Sequence, residues 1–363
     1  MSKSKYKKTL VTTVVASALL LSGCGLFGFE EKEEIDPPKD VTYTDEKTEV
    51  TKETKETNTT ENKAVDKKQE AEASETLKTE LYLVDKNGYV VPQTFELPKK
   101  ESVATQALEY LVKNGPVTEL LPNGFQAVIP DDTKISVNVK DKVATVDFSS
   151  EFKNYQAKDE MKILQSITWT LTQFDSIEQV KLQMNGHPLD EMPVNGTPIG
   201  DELTRKDGIN IDTSQVADIT NTKPVTVYYI GGEADSYYFV PVTKRVSTKV
   251  ENNIDAAINE LVKGPSVASN LVNEFNSDVE LLDEPKVEDG KVTLNFNESI
   301  FGSFDKKMIS QHVLDSLVLT LTEQKGIESV VVTVNGKAEL MREDGKKLTE
   351  PVTRPENVNT GSF

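Results

Sequence analysis

Apolar positions along this chain follow two rhythms, and the second half of the chain replays the first. Ile163, Leu164, Ile167, Leu171 and Phe174 fall on one face of a helix, as do Val313, Leu314, Leu317 and Leu321. Ile163-Leu164-Gln165-Ser166-Ile167 leads through Leu171-Thr172 to Ile177-Glu178, Val180 and Asn185-Gly186. Val313-Leu314-Asp315-Ser316-Leu317 leads through Leu321-Thr322 to Ile327-Glu328, Val330 and Asn335-Gly336, each matched pair lying 150 residues apart without a gap. That period is domain-sized, well above the roughly 20 to 50 residues of solenoid repeats. The chain is a tandem duplication, and two self-sufficient domains, each with its own core, are expected.

Alternating runs precede each long helix. Leu81-Tyr82-Leu83-Val84 and Tyr89-Val90-Val91 flank Asn87-Gly88, a hairpin signal, and Val225 to Ile230 and Tyr237 to Val242 repeat it around Gly231-Gly232-Glu233. An amphipathic helix follows from Val103 to Lys113, with Val103, Ala107, Leu108, Leu111 and Val112 on one face and Gly115-Pro116 as its stop. Ile254, Ala257, Ile258, Leu261 and Val262 before Gly264-Pro265 form its mate. A second hairpin spans Lys134 to Val139 and Ala144 to Phe148, mirrored by Lys286-Val287 and Lys291 to Phe296 around Asp289-Gly290. The long helix and a last strand complete the order ββαββαβ, followed by a mostly irregular tail. Tyr89-Val90-Val91-Pro92 is echoed by Tyr238-Phe239-Val240-Pro241, and Thr204-Arg205 through Ile209-Asn210 by Thr353-Arg354 through Val358-Asn359. The expected fold class is α+β, with two homologous domains at 77–212 and 213–363. Each is a mixed or antiparallel sheet with two helices on one face.

Trp169 and its mate Leu319 point nearly opposite to the apolar face of their helices. Large apolar residues on that side call for a second layer. Two explanations stand: the domains or the tails cover them within the chain, or they form a surface for a partner or for self-assembly.

The amino terminus has another character. Lys3, Lys5, Lys7 and Lys8 precede an apolar run from Leu10 to Leu21, too short to span a bilayer comfortably, so 1–23 reads as a secretory signal. Leu21-Ser22-Gly23-Cys24 resembles the lipobox of bacterial lipoproteins, which implies a diacylglycerol on the Cys24 thiol. Cys24 is the single cysteine, so the chain holds no internal disulfide, thiol nucleophile or cysteine metal cage. From 24 to 76 the composition is Glu, Lys, Thr, Asp and Asn, that of a disordered tether. As a flexible coil, about 50 such residues span roughly 40 Å and extend to roughly 165 Å. Gly23 to Gly28 spells G-x-G-x-x-G, but without a preceding strand or a following crossover helix it carries no dinucleotide.

Charge narrows the partners. Without the four lysines of the signal, 37 basic residues face 60 acidic ones, a net charge of about −23. Such a field repels nucleic acid and anionic lipid surfaces, so membrane attachment must come from lipid on Cys24. His187 and His312, the only histidines, lie in different repeats, which leaves no material for an H-E-x-x-H site or a Ser-His-Asp triad within one domain; both read as surface residues. There is no Walker A run and no G-x-S-x-G, and Ser303-Phe304-Asp305-Lys306 matches S-x-x-K without the companion motifs of a β-lactamase. No carboxylate pair recurs in both repeats as a glycosidase would need. No catalytic residue and no cofactor are expected.

Taken together, the lipobox, the acidic tether and the repeats resemble the GerMN-domain family of sporulation and spore germination lipoproteins. The most specific residues are Leu121-Pro122-Asn123-Gly124-Phe125, Thr168 through Phe174, Lys206-Asp207-Gly208-Ile209-Asn210, Asn297 through Gly302, and Val358 through Phe363. The resemblance implies a fold similar to the ring-building motifs of secretion systems. It also implies a place in the transenvelope channel between mother cell and forespore, where assembly of the channel proteins depends on it, and a need for it in sporulation and germination. The expected partners are those channel proteins, with homo-oligomers an open alternative. A different class, a cell-wall module that binds or modifies peptidoglycan, remains as the second reading.

Overall fold

The computed structural model describes residues 75–360, apart from 215, 217, 234, 235, 304–306 and 339. The signal segment, Cys24, the tether, the G-x-G-x-x-G run, most of the S-x-x-K match and the last three residues lie outside the described residues.

Repeat one opens with strands β1 (Thr76–Val84) and β2 (Val90–Pro98), antiparallel from Val84↔Val90 to Thr76↔Pro98. Their turn is longer than a two-residue Asn-Gly loop. The Asp85 carboxylate sets it by accepting the backbone N–H of Asn87 (2.9 Å) and of Tyr89 (2.8 Å), and Gly88 supplies the positive φ of 89°. Helix α1 (Val103–Glu109) stops a turn before the expected Lys113. Val112 there bridges Ile129, and the Leu111 carbonyl accepts from Val128 and Ile129, so strand-like bonds replace the final helical turn. Strands β3 (Ile135–Lys140) and β4 (Val143–Phe148) are antiparallel. Helix α2 (Glu160–Leu171) then crosses over to β5 (Gln179–Met184), which pairs with β4 in parallel, and the short β6 (His187–Pro188) edges the sheet.

Repeat two follows the same plan, with β7 (Thr222–Glu233), β8 (Ser236–Ser247), α3 (Asn253–Lys263), β9 (Lys286–Glu288) and β10 (Lys291–Phe296). Then come β11 (Met308–Ile309), α4 (Gln311–Thr322), β12 (Ser329–Val334), β13 (Met341–Arg342) and β14 (Val352–Thr353). Here α3 runs its full expected length. Asn252 caps its start by accepting from the Ile254 N–H (2.9 Å), and Gly264, at φ 81°, ends it.

The fold is α+β with two repeated domains, and two expectations are corrected. First, each leading hairpin forms a two-stranded sheet of its own instead of joining the main sheet. The reason lies in α2, where ten of twelve residues are buried, including both the Ile163 side and the Trp169 side. A helix with large apolar side chains on opposite sides needs a layer against each. The β3-β4-β5 sheet supplies one and the hairpin supplies the other, with the Thr170 Oγ1 accepting the Tyr82 N–H at 3.1 Å. Thr320 accepts the Tyr228 N–H in the same way at 2.9 Å. Second, the cores are not separate: one apolar cluster runs from Leu81 through Trp169, Val227 and Leu317 to Leu348, across both repeats.

Candidate functional site

The two repeats meet where the C-terminal ends of α2 and α4, strands β1 and β7, and the two tails converge. Trp169 is 1 % exposed, its ring 5.6 Å from that of Tyr82 and under the Arg205 guanidinium at 4.4 Å. Leu319, also 1 % exposed, packs with Tyr228, Ile230, Phe239 and the tail residue Val358. As partner or self-assembly surfaces, Trp169 and Leu319 are therefore corrected: the hairpins and tails of this chain supply their second layer. The indole N–H of Trp169 has no hydrogen-bond acceptor among the described residues, so its ring packing and the cation above it hold it in place.

Beside the indole lies a half-buried ionic cluster. Arg205 donates to both oxygens of Glu323 (2.9 and 2.7 Å) and to the Thr172 hydroxyl (3.0 Å). Glu323, whose side chain is 6 % exposed, also accepts from Arg354 (3.2 Å) and the Tyr228 hydroxyl (2.9 Å). Arg354 reaches on to Glu80 at 3.3 Å, and Tyr82 donates to Glu80 at 3.3 Å. Each repeat contributes one acid and one base, and the cluster is neutral. Burial alone would raise the Glu323 carboxyl, but Arg205 and Arg354 outweigh it and hold the group below the ordinary glutamate range. Burial, reinforced by Glu323, pushes the Tyr228 phenol well up, so it stays a donor. A carboxylate as covered as Glu323 is tolerated only when it is paired and hydrogen-bonded.

The tails, expected to be irregular, form a reciprocal clasp. Asn210, at φ 46°, accepts the Val90 N–H (2.8 Å) and donates to the carbonyls of Val90 and Pro241 (both 2.7 Å). Asn359, at φ 55°, accepts the Phe239 N–H (2.7 Å) and donates to the carbonyls of Phe239 and Pro92 (both 2.8 Å). Each amide thus binds the hairpin of its own repeat and the proline of the other. Pro92 and Pro241 lack N–H groups, so the facing edges of β2 and β8 cannot zip into a ladder. A side-chain NH₂ with two hydrogens bridges their carbonyls instead. One residue earlier the tails cross over: Ile209 exchanges bonds with Thr243 (2.8 and 2.9 Å), and Val358 with Thr94 (3.1 and 2.9 Å).

Other polar residues have structural employment. The buried Glu160 carboxylate accepts the Asn195 N–H (2.6 Å), the Thr197 N–H (3.1 Å), the Tyr155 hydroxyl (3.0 Å) and the Thr197 hydroxyl, which pins the loop after β6. Burial pushes this carboxyl up, and the Thr197, Asn195 and Tyr155 bonds more than offset that. His187 is exposed, as expected. His312 is half-buried, its Nδ1 2.6 Å from Glu274, whose other oxygen accepts the Ser310 hydroxyl (2.9 Å).

Comparison with known proteins agrees with the doubled architecture. Residues 80–190 and 226–339 match the Germane family model, described as sporulation and spore germination. The chain belongs to the Germane family. It is 59 % identical over 355 residues to the spore germination protein GerM of Bacillus subtilis (strain 168), covering 97 % of each chain. The solved tandem GerMN domains of the sporulation protein GerM from Bacillus subtilis superpose with a TM-score of 0.75 at 61 % identity, covering 78 % of this chain and all of that one. Kinship with this Germane protein along nearly the whole chain supports a sporulation-related role.

The residues that sequence reasoning missed are those of the clasp. Pro92, Pro241, Asn210 and Asn359 recur in both repeats, and that recurrence was the signal. What it could not convey was that each tail reaches the opposite hairpin.

Proposed function

We propose that this Germane protein is a non-enzymatic, lipid-anchored assembly protein of the channel between mother cell and forespore. In this reading, lipid on Cys24 holds it to the mother-cell membrane, facing the intermembrane space, and the tether lets the folded part work away from the lipid. The observation that carries the reading is the reciprocal clasp. The polar residues shared by both repeats hydrogen-bond one repeat to the other, which suits a rigid two-lobed body that presents surfaces at fixed spacing. The ring-building likeness implied by the family fits the same role.

The test is recovery of partners. A tagged full chain, solubilised from sporulating cells, is mixed in parallel with purified channel components and with isolated sacculi. Capture of channel components is the expected result. Retention by sacculi with no protein partner would replace this reading with the peptidoglycan module. In cells, Cys24→Ala is expected to shift the protein from the membrane fraction to the soluble one, and continued membrane retention would remove the anchor from the proposal.

A further inference from the structure

A groove of about 550 Å³ opens beside the clasp, between the β1–β2 turn, the first half of α2, the linker at 211–214 and the loop after α3. That size lies within the roughly 300–1,000 Å³ of small-ligand clefts. Lys162 and Gln165 stand one turn apart on α2 and both face it. Gln165 is only 8 % exposed; its carbonyl oxygen accepts the Asn210 N–H at 3.2 Å, while its NH₂ has no hydrogen-bond partner among the described residues. The Lys162 ammonium lies over Gly88, and its ion pair, to Asp159, is a loose one at 4.0 Å. Asp212, the acid on the wall, is already held by Lys244 at 2.7 Å. Lys162 and Gln165 therefore offer five N–H donors and a positive charge to the groove.

The matched positions in repeat two show that this is a departure from the duplicated plan. Gly88 corresponds to Tyr237, Lys162 to His312 and Gln165 to Asp315. On that side the Tyr237 ring packs on His312 at 4.1 Å, and the Asp315 carboxylate is bound by Gln311 at 2.8 Å. Repeat one instead has a glycine where the tyrosine stands and donors where the histidine and acid stand. The remaining walls combine the aliphatic side chains of Ile211, Val242 and Leu271 with the half-buried Tyr89 and the buried Tyr229. We propose that this groove binds a short extended peptide through a free carboxylate, held by the Lys162 ammonium and the Gln165 amide, with aliphatic side chains against the opposite wall. The proposal adds an attachment point to the assembly reading. The two fail separately, because peptide capture is read with purified protein and no channel component.

The probe is a mixed library of acetylated tetrapeptides with free C-terminal carboxylates, offered to the full chain in detergent beside the same library amidated at the C-terminus. Saturation-transfer NMR detects the bound fraction, and titration of the strongest binder gives its affinity. The expected result is capture from the carboxylate library only, with affinity falling about tenfold in Lys162→Ala, as loss of a charged hydrogen bond implies. Gln165→Ala should lower it less, and Lys162→Arg should largely restore it. Thr213→Trp, on the exposed linker, should block the groove without touching α2. Equal capture of the amidated library, an affinity indifferent to Lys162→Ala and Thr213→Trp, or no capture from either library would each overturn the proposal. Unchanged thermal unfolding of Lys162→Ala, Lys162→Arg and Thr213→Trp keeps a folding defect from imitating the expected result, since Gln165→Ala also removes the bond to the Asn210 N–H.

Discussion

Gln173 and Glu323 occupy the same place, just past the ends of α2 and α4, and they do different work. Gln173 accepts the Glu80 N–H (2.7 Å) and donates to the Glu80 carbonyl (2.6 Å), anchoring β1 with a neutral amide. Glu323 gathers Arg205, Arg354 and the Tyr228 hydroxyl. The acid that balances it comes from β1, at Glu80, whose mate in β7 is Thr226. The comparison teaches that the two-fold relation is kept in backbone geometry and released in charge. A second carboxylate at 173 would put three acids against two arginines in a half-buried space, and that imbalance is costly where water is largely excluded. The clasp involves no charge, so both copies of it could stay alike.

The largest way to break that contrast is Glu323→Ala. It leaves Arg205 and Arg354 with Glu80 as their remaining carboxylate, and a loss of about 3–5 kcal/mol is expected in chemical denaturation. Gln173→Ala strands two backbone groups without exposing a charge, so about 1–3 kcal/mol is expected. Equal costs for the two substitutions would refute the charge asymmetry. Asn210→Ala and Asn359→Ala test the symmetric half of the comparison. Each removes three hydrogen bonds at a left-handed position, and the two should cost similar amounts, about 1–3 kcal/mol. A large cost at one and none at the other would show that the clasp is one-sided.

The smallest expected effect is in acid. Because Glu323 is held below the ordinary glutamate value of about 4.3, its contribution is complete above that pH and is lost as pH falls through the lower folded value. Gln173 does not titrate. The stability difference between the wild type and Glu323→Gln should therefore hold steady at neutral pH and narrow below about pH 4. A difference that stays constant in acid unfolding series would mean that the glutamate is not the titrating member.

Much of the fold was legible because the duplication marks its own elements. The period of α2 and α4, the hairpins and the order of strands follow from spacing that local backbone geometry enforces. The early end of α1 escaped because Leu111 and Val112 carry a helical pattern, but the Leu111 carbonyl accepts from Val128 and Ile129 and the Lys113 N–H donates to Ile129, groups far along the chain. Trp169 and Leu319 signalled a second layer correctly, but spacing does not say whether that layer belongs to the same chain. In the groove, Lys162 and Gln165 are ordinary polar positions on a helix until Gly88 and the linker are folded against them.

Residue order alone determined that this protein is one unit written twice, with helices apolar enough to need cover on both sides. Such facts are local, set by periodicity and by glycine, proline and asparagine at fixed places. Only the tertiary structure decided that the two copies share a single core, that each tail fastens the opposite hairpin, and that four charges cancel at the junction. Those outcomes depend on which groups, far apart in sequence, are forced together away from water, and there every buried donor and charge must find its partner across the repeat boundary.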